Sequence, residues 1–265
     1  VLVTGSEGMI GKELVLQLIK RGADILEADL KNGVDLRDFK KCVQLCTGRE
    51  IVFHLAGIKG NPKMTQERPI DFFTPMVQMN TNMIEAASIC KVKQFLYTSS
   101  IAVLNPLSDL YPAWAKKTGE MQIEAMRLQY PEGTKYCIAR PANVYGRFDN
   151  FNNQYAMVIT SLIRKALKEP ELKVWGDGSQ IRDFINAKDV AEGMIATMNK
   201  MPKEPINLAS GHKTTIKQVV EAIKGVIGKD LRVTYDLSIK IGDQERTMPY
   251  NADLIGFKAR ISISL

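Results

Sequence analysis

The sequence predicts an α/β fold: a doubly wound parallel sheet followed by a smaller C-terminal α/β domain. Two observations carry this expectation. Short β-rich apolar runs alternate with segments of helical periodicity. The first run opens directly into a glycine-rich turn that starts a helix.

The runs are VLVTG (1–5), ADILEADL (23–30), IVFHLAG (51–57), QFLYTSS (94–100) and KYCIARP (135–141). Their near-continuous apolarity suits strands covered on both faces. Between the first two, Gly11, Leu14, Val15 and Leu18 keep the spacing of one helix face, with Lys20 and Arg21 in the last turn and Gly22 as the stop. Residues 81–89 and 113–128 also read as helices. Strand–helix–strand alternation implies right-handed crossovers and a parallel sheet. The alternation becomes irregular after residue 146. We therefore expect a nucleotide domain over 1–146 and a substrate domain over 147–265, with helices near 154–168, 188–200 and 215–227. Segments near 181–190 and 205–211 are expected to return to the first domain. The cleft between the two parts is the natural ligand site.

The 265 residues are 45% hydrophobic and 25% charged, which excludes a disordered or fibrous chain. No apolar run approaches the ~20 residues of a membrane span. The chain opens on Val1 inside a strand with no initiator methionine, so residues are expected to precede it. The net charge of +7 is scattered, without a dense basic run. It argues against a nucleic-acid partner and for a mild field attracting phosphate-bearing small molecules. Four cysteines form no disulfide framework, and reduced thiols in the cytoplasm are expected. Cys42 and Cys46 have no nearby His, so no metal site is expected.

The turn GSEGMIG supplies Gly5, Gly8 and Gly11. Gly5 permits the tight turn, Gly8 lets a pyrophosphate approach the backbone, and Gly11 lets the helix pack on the sheet. Free amides at the helix start, Met9 and Ile10 among them, then face the phosphates. Asp29 ends the second strand, where a carboxylate takes both ribose hydroxyls and repels a 2′-phosphate. NAD is therefore expected rather than NADP, although Lys31 lies close. In VDLRD, Asp35 and Leu36 fall where an adenine edge could be met; Asp35 could equally be a helix N-cap.

The ordered set GxxGxxG, HLAG (54–57), YTSS (97–100), a Lys in WAK, RPANVYG (140–146) and RDF (182–184) resembles the extended short-chain dehydrogenase/reductase family. Within it the chain is most similar to NAD-dependent nucleotide-sugar epimerases, dehydratases and reductases. GDP-fucose-synthase-like and GDP-mannose-epimerase-like members are near neighbours through NMIEAA and WGDGSQIRDF. The resemblance spans essentially the whole chain and implies a Rossmann sheet. It adds Leu55, Ala56, Gly57, Ser99, Pro141, Asn143 and Val144 to the expected cofactor shell. It implies that Asn143, Arg182 and Arg246 meet a nucleotide-diphosphate sugar, that Trp175 could pack its base, and that the protein is a homodimer through helices near 75–90 and 113–128.

Family chemistry uses a Tyr four residues before a Lys on one helix, with a Ser or Thr at the end of the fourth strand. Four residues turn about 400°, so both side chains share a face. The ammonium lowers the phenol pKa and holds the nicotinamide ribose. Ser100 matches the Ser, with Ser99 as the fallback, and Lys116 matches the Lys. The Tyr does not match: Pro112 stands four before Lys116, and Tyr111 stands five before it. Tyr111 is expected as a non-helical cap residue ahead of a Pro in the first turn. The Ser100–Tyr111 interval is also much shorter than the family's. A loop absent from the chain between Pro112 and Ala113 would explain both departures, with Tyr the residue just before Ala113. Otherwise a degenerate NAD-binding protein is the alternative.

Ile101 and Ala102 follow Ser100 where the family's dehydratases carry acids and its 3,5-epimerising members a Cys. Neither side chain moves a proton. What remains is hydride chemistry at one carbon: 4-epimerisation, or simple oxidation or reduction, including that of a non-sugar alcohol. Lys59 and Lys63 read as loop cations near the cofactor edge, His54 as a satisfied core residue, and His212 as a surface turn residue.

Overall fold

A computed structural model describes residues 1–60, 62–107, 110–151, 156–228, 231–239 and 244–263. The nucleotide half runs β1 (Leu2–Thr4), α1 (Met9–Lys20), β2 (Leu26–Ala28), α2 (Phe39–Cys46), β3 (Ile51–His54), α3 (Pro62–Glu67), α4 (Pro69–Ile89), β4 (Gln94–Thr98), α5 (Leu110–Gln129) and β5 (Lys135–Pro141). The chain continues through β6 (Asn143–Tyr145), α6 (Val158–Lys168), β7 (Glu171–Trp175), β8 (Ile181–Asn186), α7 (Ala187–Lys200) and β9 (Ile206–Leu208). It ends with β10 (Lys213–Thr215), α8 (Ile216–Ile227), β11 (Arg232–Asp236) and β12 (Glu245–Arg246).

The main sheet has the order β2-β1-β3-β4-β5-β9, all parallel. The order reverses direction beside β1, so the strand ends open a crevice there. Both faces are covered. On one face Val3, Leu14, Phe53 and Leu96 pack with Met194 and Leu208. On the other Leu2, Val52, Phe95 and Ile138 pack with Met83, Ile84 and Ile123. Burial on both faces is why the strands lack polar alternation.

All five expected strands form; four are shorter than their apolar runs, which continue into the loops that turn off the sheet, while β5 spans its whole run. The sequence periodicity of residues 81–89 shows only the end of a helix that begins at Pro69, with Pro75 inside it. The helix expected over 154–168 begins at Val158; residues 152–155 lie outside the described set. Residues 206–208 rejoin the main sheet as β9. Residues 181–186 instead pair with β6, β10 and β12 in a separate small sheet, and it is α7 that packs back against the nucleotide half. A third cluster, from Leu162, Leu172, Phe184 and Val220, forms the core of the C-terminal part.

Candidate active site

One cleft of about 370 Å³ opens at the C-terminal ends of the main strands. Its floor is the turn after β1. There Gly5 has φ +69°, and a Cβ on Gly11 would lie 2.1 Å from Gly5 O. Only glycine permits that approach of helix to turn. Helix α1 starts at Gly8 with no side-chain cap, so its first amides are left for an anion. Gly5, Gly8, Met9, Ile10 and Gly11 all line the cleft.

Asp29 stands beside this turn at the end of β2. Its carboxylate accepts the amides of Glu7 (3.1 Å) and Lys31 (2.9 Å), which fixes it next to the phosphate turn. It does not line the cleft itself, nor do Asp35, Leu36 and Ala56. Asp35 is held by Arg37, whose guanidinium keeps its carboxyl below the ordinary range. The N-cap of α2 is Asp38, not Asp35. Leu36 is buried, and its carbonyl accepts from Asn82. Ala56 packs beneath Gly5, its amide 2.7 Å from where a Cβ there would lie. Leu55 and Gly57 reach the cleft, and a Cβ on Gly57 would lie 3.5 Å from Lys116 Nζ.

The strand-end residues Ser99, Ser100, Pro141, Asn143 and Val144 line the opposite wall with Lys116. Lys116 Nζ donates to Thr98 O at 2.8 Å and lies 5.3 Å from the Tyr97 ring centroid. Burial pulls its pKa down to about 8. Ser100 Oγ accepts the Ala102 amide (3.2 Å), which caps the short 3-10 turn Ile101–Leu104 and leaves the hydroxyl proton free to donate. Ile101 and Ala102 lie on the cleft wall and bring no proton-transfer group there.

Tyr111 is not a cap residue. Helix α5 begins at Leu110 and runs unbroken through Tyr111, Pro112 and Ala113. Tyr111 lies outside the cleft lining, its ring edge-on to Phe73 at 6.5 Å; Pro112 takes the place on the cleft wall. A five-residue offset on a helix is about 500°, so the phenol points away from the Lys face.

Asn143 Nδ2 donates to Asp183 O (3.0 Å). Arg246 lines the cleft, and Arg182 is its register partner across the parallel β8–β12 pair. Register partners share a sheet face, so the two guanidinia rise on one side although only Arg246 reaches the cleft. Trp175 is 54% exposed and away from the cleft, under the Lys165 ammonium (5.9 Å). Lys59 lines the cleft and pairs with buried Asp149 at 3.0 Å, which also takes the Thr160 hydroxyl. Lys63 falls within α3 rather than a loop, and its side chain lies outside the described residues. His212 is exposed beside a turn.

Sequence reasoning missed Asp149 and Asp183. The latter is buried and accepts Ser210 N, Ser210 Oγ and Gly211 N, closing the loop after β9. It also missed Asn80 on α4, which nothing in the local spacing marks.

The residues present fit a dinucleotide. Glycine approach and uncapped amides suit a pyrophosphate, and the hydroxyls of Ser6 and Thr98 are buried without a hydrogen-bond partner among the described residues. A parallel sheet with a phosphate turn at its switch point and a buried cation across from it defines a dinucleotide-binding α/β protein. More narrowly, residues 1–209 match the model of the NAD dependent epimerase/dehydratase family, and the chain belongs to that family. It is 28% identical to the probable GDP-L-fucose synthase 1 of Oryza sativa over 284 residues, covering 94% of this chain and 83% of the relative. It is likewise 28% identical to the Escherichia coli GDP-L-fucose synthase, over 90% of this chain and 84% of the relative. Among solved structures, the Thermotoga maritima UDP-glucose 4-epimerase with UDP-glucose superposes at TM-score 0.88 and 23% identity, covering 99% of this chain and 94% of that one. The UDP-N-acetylglucosamine 4-epimerase of Methanobrevibacter ruminantium superposes at 0.85 and 26% identity, covering 98% and 92%.

Proposed function

We propose that the chain is a nucleotide-sugar 4-epimerase, or a closely related sugar-nucleotide oxidoreductase, working at a single carbon. The observation that carries this reading is the cleft itself: a phosphate turn on one wall, Ser100 and Lys116 on the other, Arg246 at the rim, and Ile101 and Ala102 where other chemistries need acids or a thiol. Bound NAD supplies the hydride acceptor and donor. Gly8 through Gly11 hold its pyrophosphate and Asp29 its ribose. Asp35 and Leu36 border the adenine end, while Leu55, Gly57, Ser99, Pro141 and Val144 shape the cleft around the rest of the dinucleotide. Lys116 holds the nicotinamide ribose, and its charge stabilises an oxyanion nearby. Ser100 donates to the sugar hydroxyl that loses its proton. Asn143 and Arg246 orient the sugar diphosphate, with Arg182 beside them, and guanidinium–phosphate pairing fixes its pose.

The group that takes the proton belongs to the stretch between Ser100 and Ala113. The rice relative aligns over 284 residues, more than this chain contributes, so it carries stretches without a counterpart here. A tyrosine-bearing segment before Ala113 is one of them in this reading, and Tyr111 is its nearest remnant. Pro112 at the base position supports a second reading, a protein that binds NAD without turnover. We further propose a homodimer through α4 and α5, since Trp114, Met121 and Leu128 form an exposed stripe on α5. A cytoplasmic location accords with four free thiols, of which burial pushes Cys42, Cys46 and Cys137 up to about 12. No helix among the described residues is long and apolar enough to cross a membrane.

The experiment is a panel of UDP-, GDP-, CDP- and dTDP-sugars with NAD, followed by product NMR and absorbance at 340 nm. Interconversion of 4-epimers without net NADH supports the epimerase; steady NADH indicates an oxidoreductase. NAD binding with no product from any sugar moves the assignment to the second reading.

A further inference from the structure

A buried polar chain runs under the cleft floor. Its members come from β1, β3, α4, β4 and α5. The amide of Ala56 donates to Thr4 Oγ1 (3.4 Å), and Thr4 Oγ1 meets His54 Nδ1 at 2.7 Å. His54 Nε2 meets Asn80 Oδ1 at 3.0 Å. Asn80 Nδ2 donates to Tyr97 OH (3.0 Å) and to Ala115 O (3.3 Å), and Tyr97 OH donates to Lys116 O (3.1 Å).

The donors settle their own directions. Asn80 Nδ2 has two acceptors, so its oxygen must accept, and His54 carries its proton on Nε2. Nδ1 then accepts from the Thr4 hydroxyl, whose oxygen is left to accept from Ala56. Every bond points the same way, from the loop under Gly5 to the carbonyl of Lys116. Such a run polarises each bond in turn, and a half-satisfied version is costly because Thr4, His54, Asn80 and Tyr97 are all at most 1% exposed. The packing is built around it as well: a Cβ on Gly119 would lie 2.4 Å from Tyr97 OH, so only glycine at that position of α5 admits the hydroxyl. Protonating His54 would add a donor where Thr4 must donate. Burial and the Lys116 ammonium hold the ring neutral, with its pKa pulled down to about 3.

We propose that Asn80 is a positioning residue for Lys116. It joins the dinucleotide turn to the first turns of α5 through a one-way hydrogen-bond chain that holds Lys116 at the cleft wall. This rests on the reading that Lys116 serves bound NAD. Asn80 is where the chain branches, reaching the carbonyls of two successive residues, Ala115 directly and Lys116 through Tyr97. Its position gives it no contact with the cleft.

Two variants of the full chain test this. Asn80→Asp keeps the acceptor for His54 and loses the donor. Tyr97→Phe removes only the last hydroxyl and guards against a folding failure of the first. NAD affinity is measured by calorimetry, and the Lys116 titration by the Cε resonance of lysine-labelled protein. We expect each variant to bind NAD about fivefold to tenfold more weakly, the loss of one hydrogen bond's worth of order. We also expect the Lys116 midpoint to rise as the ammonium reaches water. A merely structural role would lower the melting temperature without moving that midpoint. An NAD affinity of Tyr97→Phe within twofold of the parent together with an unmoved Lys116 midpoint would overturn the inference. Lys116→Met separates the two claims. If it binds NAD like the parent while the midpoint still rises in Tyr97→Phe, the role given to Lys116 fails and the positioning stands.

Discussion

At the scale of the residue, the site is built from groups held against their preferences. Lys116 is an ammonium drawn out of water, and burial lowers its pKa to about 8. The unfolded chain holds that proton up to the ordinary lysine range, near 10.4, so between about pH 8 and that range it binds more protons than the folded chain does. Stability from this group therefore rises with pH across that window. Lys116→Met should be more stable than the parent at pH 7, by about 1 kcal/mol, while binding NAD more weakly. The stability difference should shrink as pH rises from about 8 and level off only above about pH 11 in urea titrations, where the unfolded lysine has lost its charge as well. Glu120 is the opposite case. Its burial raises the pKa, but the bidentate Arg140 pair (2.7 and 2.6 Å) outweighs this and leaves it lowered. Its stability is present above the ordinary carboxylate range and lost as pH falls below it. Glu120→Gln leaves Arg140 without its counter-charge and should cost about 3–5 kcal/mol at pH 7, read by chemical denaturation. Gly11→Ala must push α1 off the turn and should cost about 1–3 kcal/mol together with most NAD affinity.

At the scale of the element, two arrangements decide what the cleft can do. Helix α5 carries Lys116 inward and Pro112 four residues earlier on the same wall. The helix is continuous, so Tyr111 is rotated away by the same periodicity that makes Lys116 face in. The β8–β12 pair sets Arg182 and Arg246 side by side in parallel register. Only Arg246 borders the cleft. Arg246→Ala should therefore weaken binding of UDP or GDP by at least about tenfold in calorimetry, as loss of a charged hydrogen bond does. NAD affinity should stay unchanged, and Arg182→Ala should have the smaller effect.

At the scale of the whole molecule, the C-terminal part shares a hydrophobic core with the nucleotide half through α7 and β9, and specific polar ties add to it. Lys59 after β3 reaches Asp149, which Thr160 of α6 also holds. Asp189 of α7 accepts the amides of Arg260 and Ile261, so the C-terminal residues are fastened to the helix that packs back on the nucleotide half. The α4–α5 face is where a second copy would pack. Trp114→Glu should leave a monomer by analytical ultracentrifugation where the parent sediments as a dimer; a parent already monomeric would refute the dimer.

Much of this was legible in the chain itself. The glycine turn, the five strands of the nucleotide half and helix α1 could be read because they rest on local rules: glycine freedom, two-sided burial and helical period. Ser100, Lys116 and Asn143, which line the cleft, carry motif spacings that the sequence shows on its own. Tertiary structure alone decided the rest. The acid ending β2 is fixed beside the phosphate turn by two loop amides, Trp175 stays outside the cleft, and Arg246 lines it while Arg182 does not. Asp149 and Asn80 came from no pattern at all. Periodicity tells which face of an element is buried, but whom that face meets depends on contacts spanning tens of residues, such as the 26 between His54 and Asn80. No local spacing encodes those.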